Sequence, residues 1–108
     1  MLHSGRKILT TAGTKERLSS SREMASWITL VGDVSNTGTV YIGDSNVKNA
    51  SAGAKTYIGH PIVKPAAGAQ PNFINIREMG GPTAYDLYEI YIDADNSGDS
   101  VTFNYGRR

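Results

Sequence analysis

The chain contains no cysteine. That excludes disulfide staples, thiol nucleophiles, CxxC redox chemistry and cysteine-held zinc or iron–sulfur centres, and it fits a protein made in a reducing cytoplasm. Histidine is nearly as scarce: only His3 and His60 occur, and neither has a second histidine at metal-ligand spacing. The G-x-S-x-G elbow and the GxxxxGK[ST] phosphate loop are both missing. Neither sign of charge dominates, since 11 Lys and Arg face 10 Asp and Glu for a net +1, whereas a dedicated nucleic-acid binder carries a clear basic excess. Apolar runs are too short to span a bilayer, and the stretch from Met1 to Lys7 lacks the apolar core of a signal peptide. These absences lead to the expectation of a soluble, non-enzymatic protein with no cofactor, no nucleic-acid partner and no membrane anchor.

What is present points to strands. The 108 residues include 12 glycines, with many Ser, Thr and Asn that favour turns, and the apolar side chains are largely Ile, Val, Tyr, Trp and Phe, which suit a pleated surface. A chain of this length holds one core. It buries about 60–70% of the surface its unfolded form exposes, so stability is modest unless a partner or another subunit covers more. The expected fold is all-β, a small antiparallel β-sandwich of jelly-roll type.

Residues 1–23 differ in composition from the rest. They hold Arg6, Lys7, Lys15, Arg17 and Arg22 against Glu16 and Glu23, so they carry +3 and the remaining chain −2. They read as an extended basic arm with a short strand at 7–10, attached to a sandwich domain over 24–108. Ser20-Ser21-Arg22-Glu23 has capping-box spacing, but β-branched and aromatic residues follow at once, and a strand over 26–31 is the better reading. Trp27 and Val31 lie on one face of that strand and Ile28 and Leu30 on the other, which places it centrally or under a partner.

Residues 32–44, with Asn36 and Gly38, read as a hairpin turn leading into a strand over 39–42. A long loop over 47–70 is broken by short strands at 55–58 and 62–63. Residues 72–76 alternate as a strand, and Gly80-Gly81-Pro82 breaks the chain. Residues 87–93 and 101–105 read as an antiparallel hairpin around Asp95-Asn96-Ser97-Gly98-Asp99, with Tyr88, Ile90 and Ile92 on one face. Asn36-Thr37-Gly38 and Asn96-Ser97-Gly98 echo each other, as turns of a sandwich or barrel do.

Two sets of residues carry candidate chemistry. Asp93, Asp95 and Asp99, with Gly98, match part of an EF-hand loop and form a minor calcium candidate. Asn104 stands where the bidentate Glu belongs and both flanks read as strands, so bonds to the local backbone are the stronger reading and no metal is expected. The second set is six tyrosines and Trp27. Such rings stack on sugars or build interfaces, and Trp27, Ile28, Leu30, Tyr88 and Tyr91 are the expected core or oligomer interface. Asp86, Glu89, Asp93 and Asp95 lie among the tyrosines and oppose stacking on nucleic acid.

Three segments together resemble a known group. Thr10-x-x-Gly13-Thr14-x-x-x-Leu18, then Asn36-Thr37-Gly38-Thr39-Val40-Tyr41-Ile42-Gly43-Asp44, then Leu87 to Ala94 with the Gly98-Asp99 turn, are similar to small virion proteins of tailed bacteriophages, over about two thirds of the chain. The resemblance is to capsid decoration or cement proteins, and it implies β-sandwich subunits, often trimers, that sit on the capsid surface of a virion assembled in the host cytoplasm. The implied partner is the major capsid protein, contacted through the arm by Arg6, Lys7, Ile8, Leu9, Lys15 and Arg17. The 47–70 loop departs from the shorter connection this pattern implies. The alternative expectation is a carbohydrate- or receptor-binding β-module of a head fibre or tail, with exposed tyrosines on the sugar.

Overall fold

The computed structural model describes residues 2–33, 35–50, 57–63, 73–77 and 85–106. The strands run β1 (Leu2–Ile8), β2 (Glu16–Arg17), β3 (Met24–Ala25), β4 (Trp27–Gly32), β5 (Val40–Gly43), β6 (His60–Ile62), β7 (Phe73–Arg77), β8 (Tyr85–Asp86), β9 (Tyr91–Ala94) and β10 (Ser100–Gly106). They make two four-stranded antiparallel sheets, β1-β10-β4-β7 and β2-β9-β5-β6, with β3 and β8 as a separate pair. This is the expected all-β, sandwich-like architecture.

Period-two alternation places the core between the sheets. On β4, Ile28 and Leu30 are fully buried while Trp27, Thr29 and Val31 are half-buried on the opposite face. Ile28, Leu30, Val101 and Phe103 of the first sheet pack in one cluster with Val40, Ile42, Ile62, Ile92 and Ala94 of the second. Gly32 lies where the sheets approach closely, since a Cβ there would stand 2.8 Å from Ile62 Cγ2. The strand expected over 26–31 is therefore β4, held centrally between β10 and β7.

Residues 2–18 are woven into both sheets and do not stand off as an arm. All seven residues of β1 pair with β10, and β2 pairs with β9 in the other sheet. Leu9 and Leu18 belong to the core cluster. Two basic side chains of residues 1–23, Arg6 and Arg22, pair with acids elsewhere in the fold, Asp33 and Asp86.

Neither expected hairpin forms. β4 and β5 lie in different sheets, and so do β9 and β10, so 33–39 and 95–99 carry the chain across the sandwich. Turn residues specify a reversal but not the strand that is met after it. The expected strand over 87–93 is also shorter, because Leu87–Glu89 is a 3-10 turn capped by Asp86, whose side chain accepts from the Tyr88 N–H. Leu87 is consequently buried, and the expected row of Tyr88, Ile90 and Ile92 does not exist as a strand face. Among the other expected strands, 39–42 corresponds to β5, 72–76 to β7 and 62–63 to β6. Lys55 and Thr56, Gly80-Gly81-Pro82 and most of the 47–70 loop lie outside the described residues.

Deleting residues 2–18 removes a seven-residue ladder and two buried leucines. The truncated chain is expected to lose its β-type far-UV circular dichroism and its cooperative melt. A truncated protein that still melts cooperatively would show that this segment is a dispensable arm after all.

Candidate functional site

The crossings between sheets meet one another, and acidic and amide side chains bind them together. Asp99 is buried and accepts from the backbone N–H of Thr37 (2.9 Å) and of Gly38 (2.9 Å) and from the Thr37 hydroxyl. Asp93 is also buried. Its Oδ1 accepts from Gly13 N–H (2.9 Å) and its Oδ2 from Asn49 N–H (3.0 Å). Asp95 accepts from Ala50 N–H and from the Tyr41 hydroxyl. Asn36 closes the set: its Nδ2 donates to Ser100 O and its Oδ1 accepts from Ser100 N–H, at 2.9 and 2.8 Å. Asn49 Nδ2 donates to Ala94 O.

The calcium candidate is thereby corrected. Asp99 turns to the 37–38 segment, while Asp93 and Asp95 share the 49–50 segment and reach in addition to Gly13 N–H and the Tyr41 hydroxyl, so their oxygens are used on donors of the protein and do not converge on one point. No group of three or more acids and histidines able to hold a metal occurs among the described residues. The similarity to an EF-hand arises because the same residue types that ligate a cation also accept N–H groups in irregular backbone.

Three other acids are held in their ionised form. Backbone N–H and hydroxyl bonds from Ser35, followed by the Ser100 hydroxyl and Arg6, keep Asp33 below its usual range. Glu16 is lowered chiefly by the Thr10 N–H, with Lys7 adding to the effect. Burial pushes Asp86 up, but the N–H groups of Tyr88 and Glu23 and the Arg22 guanidinium outweigh it and leave the group low. Tyr41 moves the other way, to about 12, because burial and the bond to Asp95 both favour the neutral phenol.

A shallow cleft of about 460 Å³ brings together residues expected in separate roles, Arg17 with Tyr88 and Tyr91, and is also lined by Arg22, Asp44 and Glu89. The Arg17 guanidinium lies 3.8 Å from the Tyr88 ring centre and 4.9 Å from that of Tyr91. It also donates to the Tyr88 carbonyl at 2.6 Å. Arg22 sits 2.6 Å from Asp86. Both guanidinium groups therefore hold β2 and its neighbours against the 3-10 turn, and both tyrosine rings are occupied by the chain's own cation.

The remaining candidate is the outer face of the β1-β10-β4-β7 sheet. The register aligns Ser4, Asn104, Thr29 and Asn75 in one row across all four strands. Ser4 Oγ donates to Asn104 Oδ1 and Thr29 Oγ1 to Asn75 Oδ1, at 2.5 and 2.6 Å. The next row is Arg6, Thr102, Val31 and Phe73. On the other side Trp27 lies over Gly106, where a Cβ would stand 2.8 Å from the indole. Leu2, Ile8 and Phe73 are more than half exposed at the margins of this face.

Of the expected contact residues, Leu9 is fully buried and available to no partner. Arg6 pairs with Asp33 and Lys7 with Glu16, while Ile8 and Lys15 are exposed. Ile28 and Leu30 belong to the core cluster, whereas Trp27 faces outward and Tyr88 and Tyr91 lie outside that cluster. Asn36 and Asp33, read from the sequence as part of a turn, Asp86, read as an acid opposing nucleic acid, and Asn49, given no role, are organising residues; the echo of Asn36-Thr37-Gly38 and Asn96-Ser97-Gly98 was the available signal for Asn36. In comparisons with known proteins, no family model, no curated protein and no solved structure matches the chain.

Two outcomes follow for stability. Replacing Asp99 by Ala strands the Thr37 and Gly38 N–H groups and is expected to cost about 1–3 kcal/mol for each stranded donor, while added calcium leaves the wild-type melting temperature unchanged; a calcium-dependent rise would restore the metal reading. The folded pKa values of Glu16, Asp33 and Asp86 lie below their unfolded ones. The unfolded chain therefore takes up more protons in acid, so stability is held above about pH 4.5 and lost below it. Thermal melts across that range check the sign, and a melting temperature unchanged down to about pH 2 would contradict it.

Proposed function

We propose that the chain is a structural, non-enzymatic module of a tailed-phage virion that decorates the capsid by binding the major capsid protein. The observation that carries this reading is the outer face of the β1-β10-β4-β7 sheet, where the polar row from Ser4 to Asn75 is bordered by exposed Leu2, Ile8 and Phe73. Such a face suits attachment to another protein surface, with apolar groups at the margins and hydrogen-bonding groups between them. Asp33, Asp86, Asp93, Asp95 and Asp99 accept from backbone N–H groups, an arrangement that favours a binding role. The resemblance in the Asn36–Asp44 and Leu87–Ala94 segments supports the virion assignment. A glycan-binding reading is weaker, because Arg17 already covers the rings of Tyr88 and Tyr91.

Purified protein mixed with undecorated heads of the phage that encodes it is expected to pellet with them. The double variant Thr29→Lys and Phe73→Lys, which places two charges on the outer face, is expected to lose about tenfold in affinity or more, the scale of an interface hot spot. Wild-type protein that stays in the supernatant would end the decoration reading. A folded double variant that binds as well as wild type would move the contact to another surface.

A further inference from the structure

β1 is the outermost strand of its sheet, and among the described residues one side of its backbone faces no other strand. Leu9 N–H donates to Asp99 O (2.9 Å) and Gly98 N–H donates to Leu9 O (2.8 Å), which marks Leu9 as a bonded position. Bonded and non-bonded positions alternate in an antiparallel ladder. Lys7, Gly5 and His3 therefore bond to β10, and Leu2, Ser4, Arg6 and Ile8 turn their N–H and C=O groups outward. Natural sheets guard such an edge with free charge, proline or a bulge. Here the strand has no proline, and its two charges are engaged within the fold, Arg6 by Asp33 at 3.3 Å and Lys7 by Glu16 at 3.1 Å. Leu2 and Ile8, at the two ends, are 63% and 53% exposed.

We propose that β1 pairs antiparallel with β1 of a second copy of this chain, across a two-fold axis at Gly5. The outward groups all belong to even-numbered residues, so each must meet an even-numbered residue of the second copy. Centring the pair on Gly5 sets Leu2 opposite Ile8 and Ser4 opposite Arg6, which buries both exposed apolar side chains together. A shift of two residues one way sets Arg6 against Arg6, a like-charge pair that destabilises a ladder. The opposite shift sets Leu2 against Arg6 and leaves Ile8 uncovered. The sequence of β1 is thus self-complementary in one register. Pairing in it joins two four-stranded sheets into one continuous sheet and doubles the outer face, with a two-fold axis in place of the threefold one that the resemblance implies. The proposal is independent of capsid binding, because it concerns the free protein.

Light scattering on the purified chain is expected to give twice its 11.6 kDa mass. Ser4→Pro removes one outward N–H without touching a bond to β10, and Ile8→Lys breaks the apolar contact; both are expected to be monomers with native circular dichroism. Register is tested with paired cysteines, since the chain has none of its own. Residues opposite each other in a bonded pair are about 5.5 Å apart at Cα, within disulfide reach. Ser4→Cys with Arg6→Cys is therefore expected to give a disulfide-linked dimer under mild oxidation, and Ser4→Cys with Ile8→Cys is not. A wild-type monomer or trimer, or a dimer that persists in both single variants, would overturn the proposal. Equal crosslinking of the two cysteine pairs would overturn the register.

Discussion

Crossing from one sheet to the other takes the backbone out of both ladders, and every amide in a crossing then needs another partner. Three of this chain's crossings, after β1, after β4 and after β9, meet at the 95–99 segment: Gly98 N–H donates to Leu9 O, Ala12 N–H to the Ser97 hydroxyl, and the Thr37 and Gly38 N–H groups to Asp99. A few side chains with two acceptor atoms can therefore serve all of them. Asp99 and Asn36 tie the 33–39 crossing to the start of β10, and Asp93 ties the 9–15 crossing to β9. Carboxylates suit this work because ionised acceptors make stronger bonds to N–H groups than neutral ones. These contacts fix the crossings in place beside the apolar core.

The charge distribution follows from the same arrangement. Residues 1–23 carry +3 and the rest −2, a split that suggests a basic tail seeking an external acidic surface. In the fold, Arg6 pairs with Asp33, Arg22 with Asp86, and Arg17 lies on Tyr88 and Tyr91. Arg22 is largely exposed, and a pair of that kind contributes only about 0–1 kcal/mol. The buried N–H bonds to the same acids matter more. Part of the basic segment, Arg6, Arg17 and Arg22, is therefore engaged within its own domain.

Alternation made the strands legible. Ile28 and Leu30 against Trp27 and Val31, and Val101 with Phe103 against Thr102 and Asn104, place β4 and β10 from the sequence because burial on one face enforces period two. Pairing was less legible, because Asn36-Thr37-Gly38 and Asn96-Ser97-Gly98 specify a turn and say nothing of the strand that the chain joins next. Leu87-Tyr88-Glu89 has strand-forming side chains, but Asp86 caps it as a 3-10 turn, a local side-chain bond overriding intrinsic preference. The acidic run from Asp93 to Asp99 drew attention to the right residues and suggested the wrong partner. Oxygen ligands for a cation and acceptors for loop amides are the same chemical groups, and only the position of the neighbouring loops distinguishes the two uses.

Once the interior polar groups are matched, what remains for a partner is at the surface. No buried side-chain nitrogen or oxygen lacks a hydrogen-bond partner among the described residues. Among those residues, unmatched backbone bonding capacity lies along the outer side of β1, and exposed apolar area at Leu2, Ile8 and Phe73 on the neighbouring face. A backbone edge confers affinity through repeated N–H and C=O groups, while alternate side chains decide which strand is accepted. On β1 those alternate side chains are apolar at both ends and polar between, so a strand of the same sequence running the opposite way fits them.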